Sequence, residues 1–258
     1  MSTRVVTAVS LYGQKPPALR HLLQTVQLAL DRRLGPAFAP YSLDQVHGTL
    51  IILSGQLDAL VPGAVLNQCF LQYRGVRRPM DFDRLQRLLR SHLVPPLTIR
   101  IGGFGPQDAT PFTSQGRHLH ERSFSARDGA LVLMGWPVSS LLSAGRRRPL
   151  DELRRSMTDA GILHRYHAAP ADVDDDFHLV VGHYAGATPQ AVTAAVVAVR
   201  RELAGSQIEI EVGLDQVRII AAQSPTLSAP WFNHALPLAA SQIASLYGAG
   251  VRSESCSR

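Results

Sequence analysis

The sequence predicts an α+β fold built from two similar halves. Each half shows the same order of patterns: a strand, an amphipathic helix, a short apolar strand that begins near a histidine, a second helix, and one or two final strands. The two histidine strands cover residues 46–53 and 177–182 and contain β-branched side chains, which are typical of buried strands. With 258 residues, 45% of them hydrophobic, the chain is long enough to bury a substantial core.

The first half begins and ends with a strand. Its predicted elements are a strand at 5–11, a helix at 16–34, the histidine strand at 46–53, a helix at 81–93 and a strand at 97–101. Pro16 and Pro17 favour a helix start, because proline suits the first helical turn. Asp81 is a predicted N-cap, after which leucines recur at helical spacing until Pro95. Residues 65–73 fit either a short strand or a partly buried segment.

The second half repeats this order. Its predicted elements are a strand at 130–136, a helix at 150–161, the histidine strand at 177–182, a helix at 188–205, and strands at 207–212 and 216–222. Thr188 and Pro189 indicate an N-cap and a first-turn proline, and Gly161 indicates a helix C-cap. Residues 229–258, rich in alanine, serine and proline, are predicted to form a tail with one short helix at 243–247.

Two polar segments allow a site as well as a loop. The glycine run at 102–105 fits a phosphate loop or a bend, and we favour the bend because no helix follows it. Residues 106–128 are predicted to form an exposed hairpin or loop. Within them, His118 and His120 have the spacing of a metal-binding pair, but an exposed loop would not hold such ligands rigidly.

Two charged runs also have two interpretations. The arginines at 146–148 form either a solvated turn or a phosphate-binding patch, and a solvated turn is the more ordinary interpretation. The acidic residues at 172–176 lack the glycine and the distal glutamate of a calcium loop. They are therefore predicted to connect a helix to the second histidine strand.

Charge and composition restrict the partners and the compartment. The net charge of +6 and the pI of about 9.9 favour an anionic partner, although much of this charge belongs to ordinary helix surfaces. No run approaches the roughly 20 apolar residues of a membrane span, and the N-terminus lacks a signal pattern, so we expect a cytoplasmic protein that does not enter a membrane. Cys69 and Cys256 lie far apart, which predicts neither a disulfide framework nor a thiolate zinc site.

The first histidine strand carries a motif. In a strand, residues at i and i+2 share a face, so His47 and Thr49 are predicted to point the same way. The run His47-Gly48-Thr49-Leu50 resembles the His-x-Thr signature of the two-histidine (2H) phosphoesterase superfamily, which includes cyclic nucleotide phosphodiesterases and 2′-5′ RNA ligase-like proteins. That family carries the signature twice, once in each lobe. Here the second copy is His178-Leu179-Val180, with valine where the family has threonine or serine.

The resemblance covers about residues 3–224 and implies the architecture. It predicts a bilobal, pseudo-two-fold fold in which two antiparallel sheets, each backed by helices, lie around a central cleft with the histidine strands facing across it. Residues 1–228 would form this single domain, with an insertion at about 106–128 that lies over the cleft. The segment at 229–258 would follow as the tail.

The resemblance also implies a chemistry. It predicts a phosphodiesterase that needs no metal or cofactor and acts on a 2′,3′-cyclic phosphate, a cyclic oligonucleotide or an RNA end. His47 and His178 would be acid and base in an unassigned order, because imidazole supplies both forms near neutral pH. Thr49 would donate its hydroxyl to a phosphate oxygen.

Val180 cannot make such a contact. A hydrogen bond to a charged group is worth roughly 1.5–3 kcal/mol, so its loss would slow the reaction by about one to two orders of magnitude. Arg100, His183 and Tyr184 are candidates to bind substrate in its place.

Two other hypotheses stay open. One is a degenerate member of the family that binds a nucleotide or RNA without turnover. The other is a metal hydrolase that uses four histidines outside the pair, namely His118, His120, His164 and His167. No obligatory protein partner is predicted.

Overall fold

The computed structural model describes residues 3–248 and 252–253. Its strands are β1 (Thr3–Ser10), β2 (Phe38–Pro40), β3 (Gly48–Ile52), β4 (Gly55–Leu57), β5 (Val65–Asn67), β6 (Leu97–Gly102), β7 (Phe124–Arg127), β8 (Ala130–Pro137), β9 (Phe177–Tyr184), β10 (Gln207–Val212), β11 (Arg218–Ala222), β12 (Phe232–Ala235) and β13 (Arg252–Ser253). Its helices are α1 (Pro17–Leu34), α2 (Gln68–Arg74), α3 (Phe82–Leu93), α4 (Leu119–Ser123), α5 (Val138–Leu142), α6 (Pro149–Ser156), α7 (Pro189–Ala204) and α8 (Ala240–Ser245).

The long helices begin where their capping residues predict. The Asp81 carboxylate accepts a hydrogen bond from the Arg84 N–H at 2.8 Å at the start of α3. The Thr188 hydroxyl accepts one from the Ala191 N–H at 3.2 Å at the start of α7. Each cap satisfies one of the backbone N–H groups that the first helical turn leaves unpaired.

The α+β prediction is confirmed, and the sheets of the two halves are joined. Within the described residues one large sheet of eleven strands contains the path β10-β6-β8-β9-β3-β1-β11-β12, and β4 and β5 form a small second sheet. We call β3, β1, β11 and β12 the first lobe, and β9, β8, β6 and β10 the second lobe. The halves exchange strands, since β6 of the first half pairs with β8 and β10, and β11 of the second half pairs with β1.

The main core covers one face of the sheet. Side chains of α1, α3, α6 and α7 pack there against Phe177, Leu179 and Val181 of β9. These three residues are buried, whereas the intervening His178 and Val180 are half-buried. Because side chains alternate along a strand, His178 and Val180 lie on the face away from the helices.

The segment at 106–128 is more ordered than the sequence predicts. It contains α4 and β7, and Leu119 and Arg122 are buried. Leu119 packs in an apolar cluster with Phe104 and Trp136. The prediction of an exposed loop holds for most of 106–117 and is wrong for 119–124, because the contacts of the latter come from distant strands that local polarity does not reveal.

Two further regions differ from their expected form. Residues 65–73 divide into β5 and the start of α2, which Asn67 caps by accepting a hydrogen bond from the Phe70 N–H at 3.0 Å. Cys69 is disulfide-bonded, contrary to expectation, while Cys256 lies outside the described residues. Distance along the chain is a weak argument against a disulfide, since the entropy of loop closure grows only slowly with length.

The segment after residue 228 packs on the fold as far as the structure describes it. β12 pairs with β11, and the hydroxyl of the buried Tyr247 donates to the Leu53 carbonyl at 2.6 Å. The short helix α8 lies at Ala240–Ser245, three residues before its predicted start. Among the described residues, no helix has the length and apolarity needed to cross a bilayer.

Candidate active site

The two histidines lie on neighbouring antiparallel strands. Gly48 of β3 pairs with Leu179 of β9. Opposite residues of an antiparallel pair share a face, and so do alternate residues along each strand. The register therefore places His47 and His178 as diagonal neighbours on one face, a relationship that typically separates two residues by about 7–8 Å.

The other two motif positions share that face. Extending that one pair by a residue in each direction sets Thr49 opposite His178 and Val180 opposite His47. The two halves of the chain thus bring together four positions, two imidazoles, one hydroxyl and one isopropyl group, that are far apart in sequence. A phosphate held over this face would meet a hydrogen-bond donor at Thr49 and none at Val180.

His47 has a defined tautomer. Its Nδ1 donates to the Gln45 carbonyl at 2.7 Å, and because a carbonyl oxygen only accepts, Nδ1 carries the proton. In the neutral ring Nε2 then holds the lone pair. His47 is 8% exposed, and burial lowers its pKa; the hydrogen bond to Gln45 acts against that change, and the Lys15 ammonium adds to it.

The loop between β1 and α1 packs against His47. The ring centroids of Tyr12 and His47 are 6.0 Å apart, and the Tyr12 hydroxyl donates to the Leu227 carbonyl at 2.8 Å. The buried Lys15 ammonium donates to the Gly13 carbonyl at 2.6 Å. This loop therefore places an aromatic ring beside the first imidazole and a cation against the loop that precedes it.

His178 has different neighbours. The Tyr166 ring stacks on it, with centroids 6.3 Å apart and planes 26° apart. A ring nitrogen of His178 and one carboxylate oxygen each of Asp174 and Asp176 all lie within 4.8 Å of one another. Burial lowers the pKa of His178, and the two carboxylates act in the opposite direction.

These three residues have the composition of a metal site, but both carboxylates already have partners. Asp174 pairs with Arg154 at 3.1 Å and with His164 at 2.9 Å. Asp176 accepts from the Arg122 guanidinium and the Trp136 indole, each at 2.7 Å. These donors bond to Oδ2 of Asp174, whereas its Oδ1 is buried without a hydrogen-bond partner among the described residues. The acidic segment therefore adds negative charge beside His178.

Arg154 lies between the histidine strands. Its guanidinium is 1% exposed and donates to the carbonyls of Thr49 and Leu50 on one side, at 3.1 and 3.2 Å. On the other side it donates to the carbonyls of Asp174 and Asp176, at 2.9 and 3.1 Å. These four bonds occupy backbone groups at the point where β3 and β9 stop pairing, so Arg154 holds the two strands in a fixed relation.

A cavity of about 520 Å³ is lined by two neighbours of His178, although His178 itself does not line it. Tyr166 and Asp176, which both adjoin the imidazole, form part of its wall, and Ser114 and Phe112 of the 106–128 segment form another part. Arg148, from the arginine run, also lines it. Residues of the 106–128 segment therefore share a cavity wall with two neighbours of His178.

The predicted substrate-binding residues other than Val180 lie apart from the pair. Arg100 is on β6, two strands from β9, and forms an ion pair with Glu209 at 2.9 Å. His183 is five residues beyond His178 on β9, and its Nε2 lies 2.6 Å from the Tyr41 hydroxyl. Tyr184 is six residues beyond His178, or about 20 Å along a strand.

The histidines of the metal hypothesis occupy separate places. His118 caps α4 and His120 lies 2.9 Å from the Phe104 carbonyl. His164 and His167 are buried and bond to Asp174 and Asp151, at 2.9 and 2.8 Å. The four rings therefore belong to two structural networks, one at α4 and one beneath the acidic connector.

The sequence matches no protein-family model and no curated protein. Among solved structures, the chain is similar to one described as the crystal structure of TT0787 of Thermus thermophilus, with 15% sequence identity and a TM-score of 0.36. The alignment covers 84% of this chain and 86% of that one. The family resemblance drawn from the His-x-Thr motif therefore stays a prediction.

Sequence reasoning missed three charged residues at the site, Lys15, Arg154 and Asp174. Arg154 and Asp174 looked like helix surface and connector, and only the long-range contacts show that they are buried. Lys15 could have been singled out from the sequence, because it is the only lysine among the 26 lysine and arginine residues of the chain.

Proposed function

We propose that the protein is a metal-independent phosphodiesterase that hydrolyses a 2′,3′-cyclic phosphate, a cyclic oligonucleotide or an RNA end with His47 and His178 as the acid–base pair. The observation that supports this most directly is the register of β3 and β9. It puts two imidazoles, one from each half of the chain, on one face as diagonal neighbours. General acid–base catalysis needs both groups within reach of one phosphate.

The surroundings of the two rings favour an order of roles. His47 presents a lone pair at Nε2 because its Nδ1 proton is fixed by the Gln45 carbonyl, so it takes the proton of the attacking water. His178 lies beside two carboxylates, which favour its protonated form against the lowering of its pKa by burial, so we assign it the role of giving a proton to the leaving ribose oxygen. Water adds to phosphorus, the P–O bond of the ring breaks, and the product is a phosphate monoester.

The test is hydrolysis of a panel of 2′,3′-cyclic nucleotides and cyclic dinucleotides in the presence of EDTA. We expect turnover by the unaltered protein, and a loss of about 10²–10⁴-fold in kcat for both His47→Ala and His178→Ala. His21→Ala, at an exposed position on α1, is the matched control and should leave the rate unchanged. Activity that disappears with EDTA would instead support the metal hydrolase.

A second candidate function is nucleotide or RNA binding without turnover, and Val180 is the observation that favours it. One hydroxyl of the family pattern is missing, and Thr49 alone supplies a motif donor on this face. Under this alternative, cyclic nucleotides bind with measurable affinity by calorimetry, no product forms, and substitution of either histidine weakens binding only.

A further inference from the structure

Lys15 is an unusual residue in this chain. Everywhere else the sequence uses arginine for positive charge, yet Lys15 is lysine and is only 4% exposed. Lysine is rarely buried without a charged partner. Within the described residues, no carboxylate lies within 4.0 Å of its ammonium. A lysine kept at a buried position in an arginine-rich chain calls for an explanation beyond surface charge.

The contacts of Lys15 leave part of its donor capacity unused. Its Nζ donates to the Gly13 carbonyl at 2.6 Å and, more weakly, to the Asp44 carbonyl at 3.4 Å. An ammonium has three N–H donors. The two carbonyls hold the amine between the loop after β1 and the loop that precedes His47, and one donor remains for a ligand.

The position of Lys15 corresponds to the gap in the motif. The Lys15 ammonium bonds to the Asp44 carbonyl, and the carbonyl of the next residue, Gln45, bonds to the His47 ring. Extending the β3–β9 pairing by one residue sets Val180 across from His47. The cation and the missing hydroxyl therefore both adjoin the His47 end of the face.

We infer that Lys15 is a further catalytic residue, which binds a non-bridging oxygen of the substrate phosphate and takes the place of the hydroxyl absent at Val180. This inference rests on the proposed function for the identity of the substrate. Lysine binds phosphate as a compact point charge, and charge that grows on the oxygen in the transition state strengthens the contact.

The ionisation state of Lys15 suits this role. Burial lowers its pKa to about 8, with Asp44 acting against that change and Arg20 adding to it. At pH 7 the amine is therefore still mainly protonated and carries a donor and a charge. A bound phosphate dianion or monoanion would stabilise the ammonium and raise the pKa.

The sole lysine gives a direct measurement. Protein grown with lysine labelled at ¹³Cε yields one lysine resonance, which is titrated with pH in the presence and absence of adenosine 2′,3′-cyclic monophosphate. The His178→Ala variant is used so that the nucleotide is not consumed. We expect saturating nucleotide to raise the midpoint of the titration by about one pH unit or more.

A rescue experiment separates catalysis from loop structure. Lys15→Met keeps the length of the side chain without its charge and should lower kcat/KM by about 10–100-fold. Adding Val180→Thr to Lys15→Met should recover about tenfold of that loss, whereas Val180→Thr alone should change the rate much less. Arg20→Met, an exposed cation near the same loop, is the control and should leave kcat/KM unchanged.

The outcomes distinguish this inference from the proposed function. A raised midpoint without turnover of any substrate supports Lys15 as the phosphate ligand and overturns the hydrolase. Turnover with an unmoved midpoint, or with no rescue by Val180→Thr, overturns the inference and leaves the hydrolase standing. No change in the midpoint and no turnover overturn both.

Discussion

The two histidines have equivalent positions in the two halves but opposite electrostatic surroundings. His47 is bonded to a backbone carbonyl and has a lysine ammonium nearby. His178 lies under a tyrosine ring and beside Asp174 and Asp176. A symmetric motif can therefore supply two unlike groups, since acid and base roles are set by the residues around each imidazole and not by the motif itself.

The charged groups around the two histidines are also expected to differ in how much each contributes to the free energy of unfolding. Charges near His47 are few and held by backbone carbonyls, whereas those near His178 form a buried network in which Arg154, Asp174 and His164 depend on one another. Removing one member of a buried ion pair is much more costly than removing an exposed one, because the other charge is left without a partner.

Arg154→Met should therefore have the largest effect. We expect it to lower the free energy of unfolding by about 3–5 kcal/mol, since it leaves Asp174 buried and removes four bonds to backbone carbonyls. Arg20→Met, which removes an exposed ion pair with Asp44 at 3.9 Å, should cost less than about 1 kcal/mol. Chemical denaturation measures both. Similar costs for the two variants would show that the network around His178 is not special.

The second-largest expected effect is a fall in the free energy of unfolding at acidic pH. Burial lowers the pKa of His164 to about 4, while an unfolded histidine has a pKa near 6.5. Between these values the unfolded chain binds a proton that the folded protein does not, so stability is lost as pH falls from about 6.5 to about 4. The loss from this group is about 3 kcal/mol.

The control for that prediction is His164→Gln. Burial also lowers the pKa of His47 and of His178, which add to this slope, and raises the pKa of Asp175 to about 6, which opposes it. The loss of stability that His164 contributes on acidification should therefore be absent from the variant, so its denaturation midpoint should shift less towards destabilisation as pH falls. Parallel slopes would mean that His164 does not titrate between the two values.

Gly48→Ala should have the smallest effect on stability but should bear most directly on the geometry of the pair. A Cβ at Gly48 would lie 2.1 Å from the Phe177 ring, which is fully buried beneath the junction of β3 and β9. Such overpacking costs about 1–3 kcal/mol and would push the histidine strands apart.

The matched variant is Gly205→Ala, where the nearest atom to a new Cβ is 3.8 Å away. Thermal unfolding and turnover should both change at Gly48 and remain unchanged at Gly205. Full activity in Gly48→Ala would argue that the spacing of the two imidazoles is not tightly set by this contact.

Local patterns were sufficient for most of the fold. The caps at Asp81 and Thr188 and the apolar histidine strands are short-range signals, and the structure confirms the elements they predict. Within the segment at 106–128, the part at 119–124 was misjudged, because the burial of Leu119 depends on Trp136 from another strand. Polar composition alone does not report such a contact.

The site was predictable only in part. His47 and His178 could be found from their strand context, and the register then places them on one face. Arg154 and Asp174 could not be found, because a buried ion pair between a helix and a connector looks in sequence like two solvated charges. Arg100 was proposed as a substrate-binding residue because of its charge, but it forms an ion pair with Glu209 on the neighbouring strand.

The exchange of β6 and β11 means that neither lobe is a contiguous piece of the polypeptide. A fragment that ends at the midpoint of the chain would lack β11 and β12 of the first lobe and would carry β6, whose partners β8 and β10 lie in the other half. The first half therefore cannot complete its sheet until β11 is present. The face that carries His47 and His178 is formed only when strands from both halves of the chain have come together.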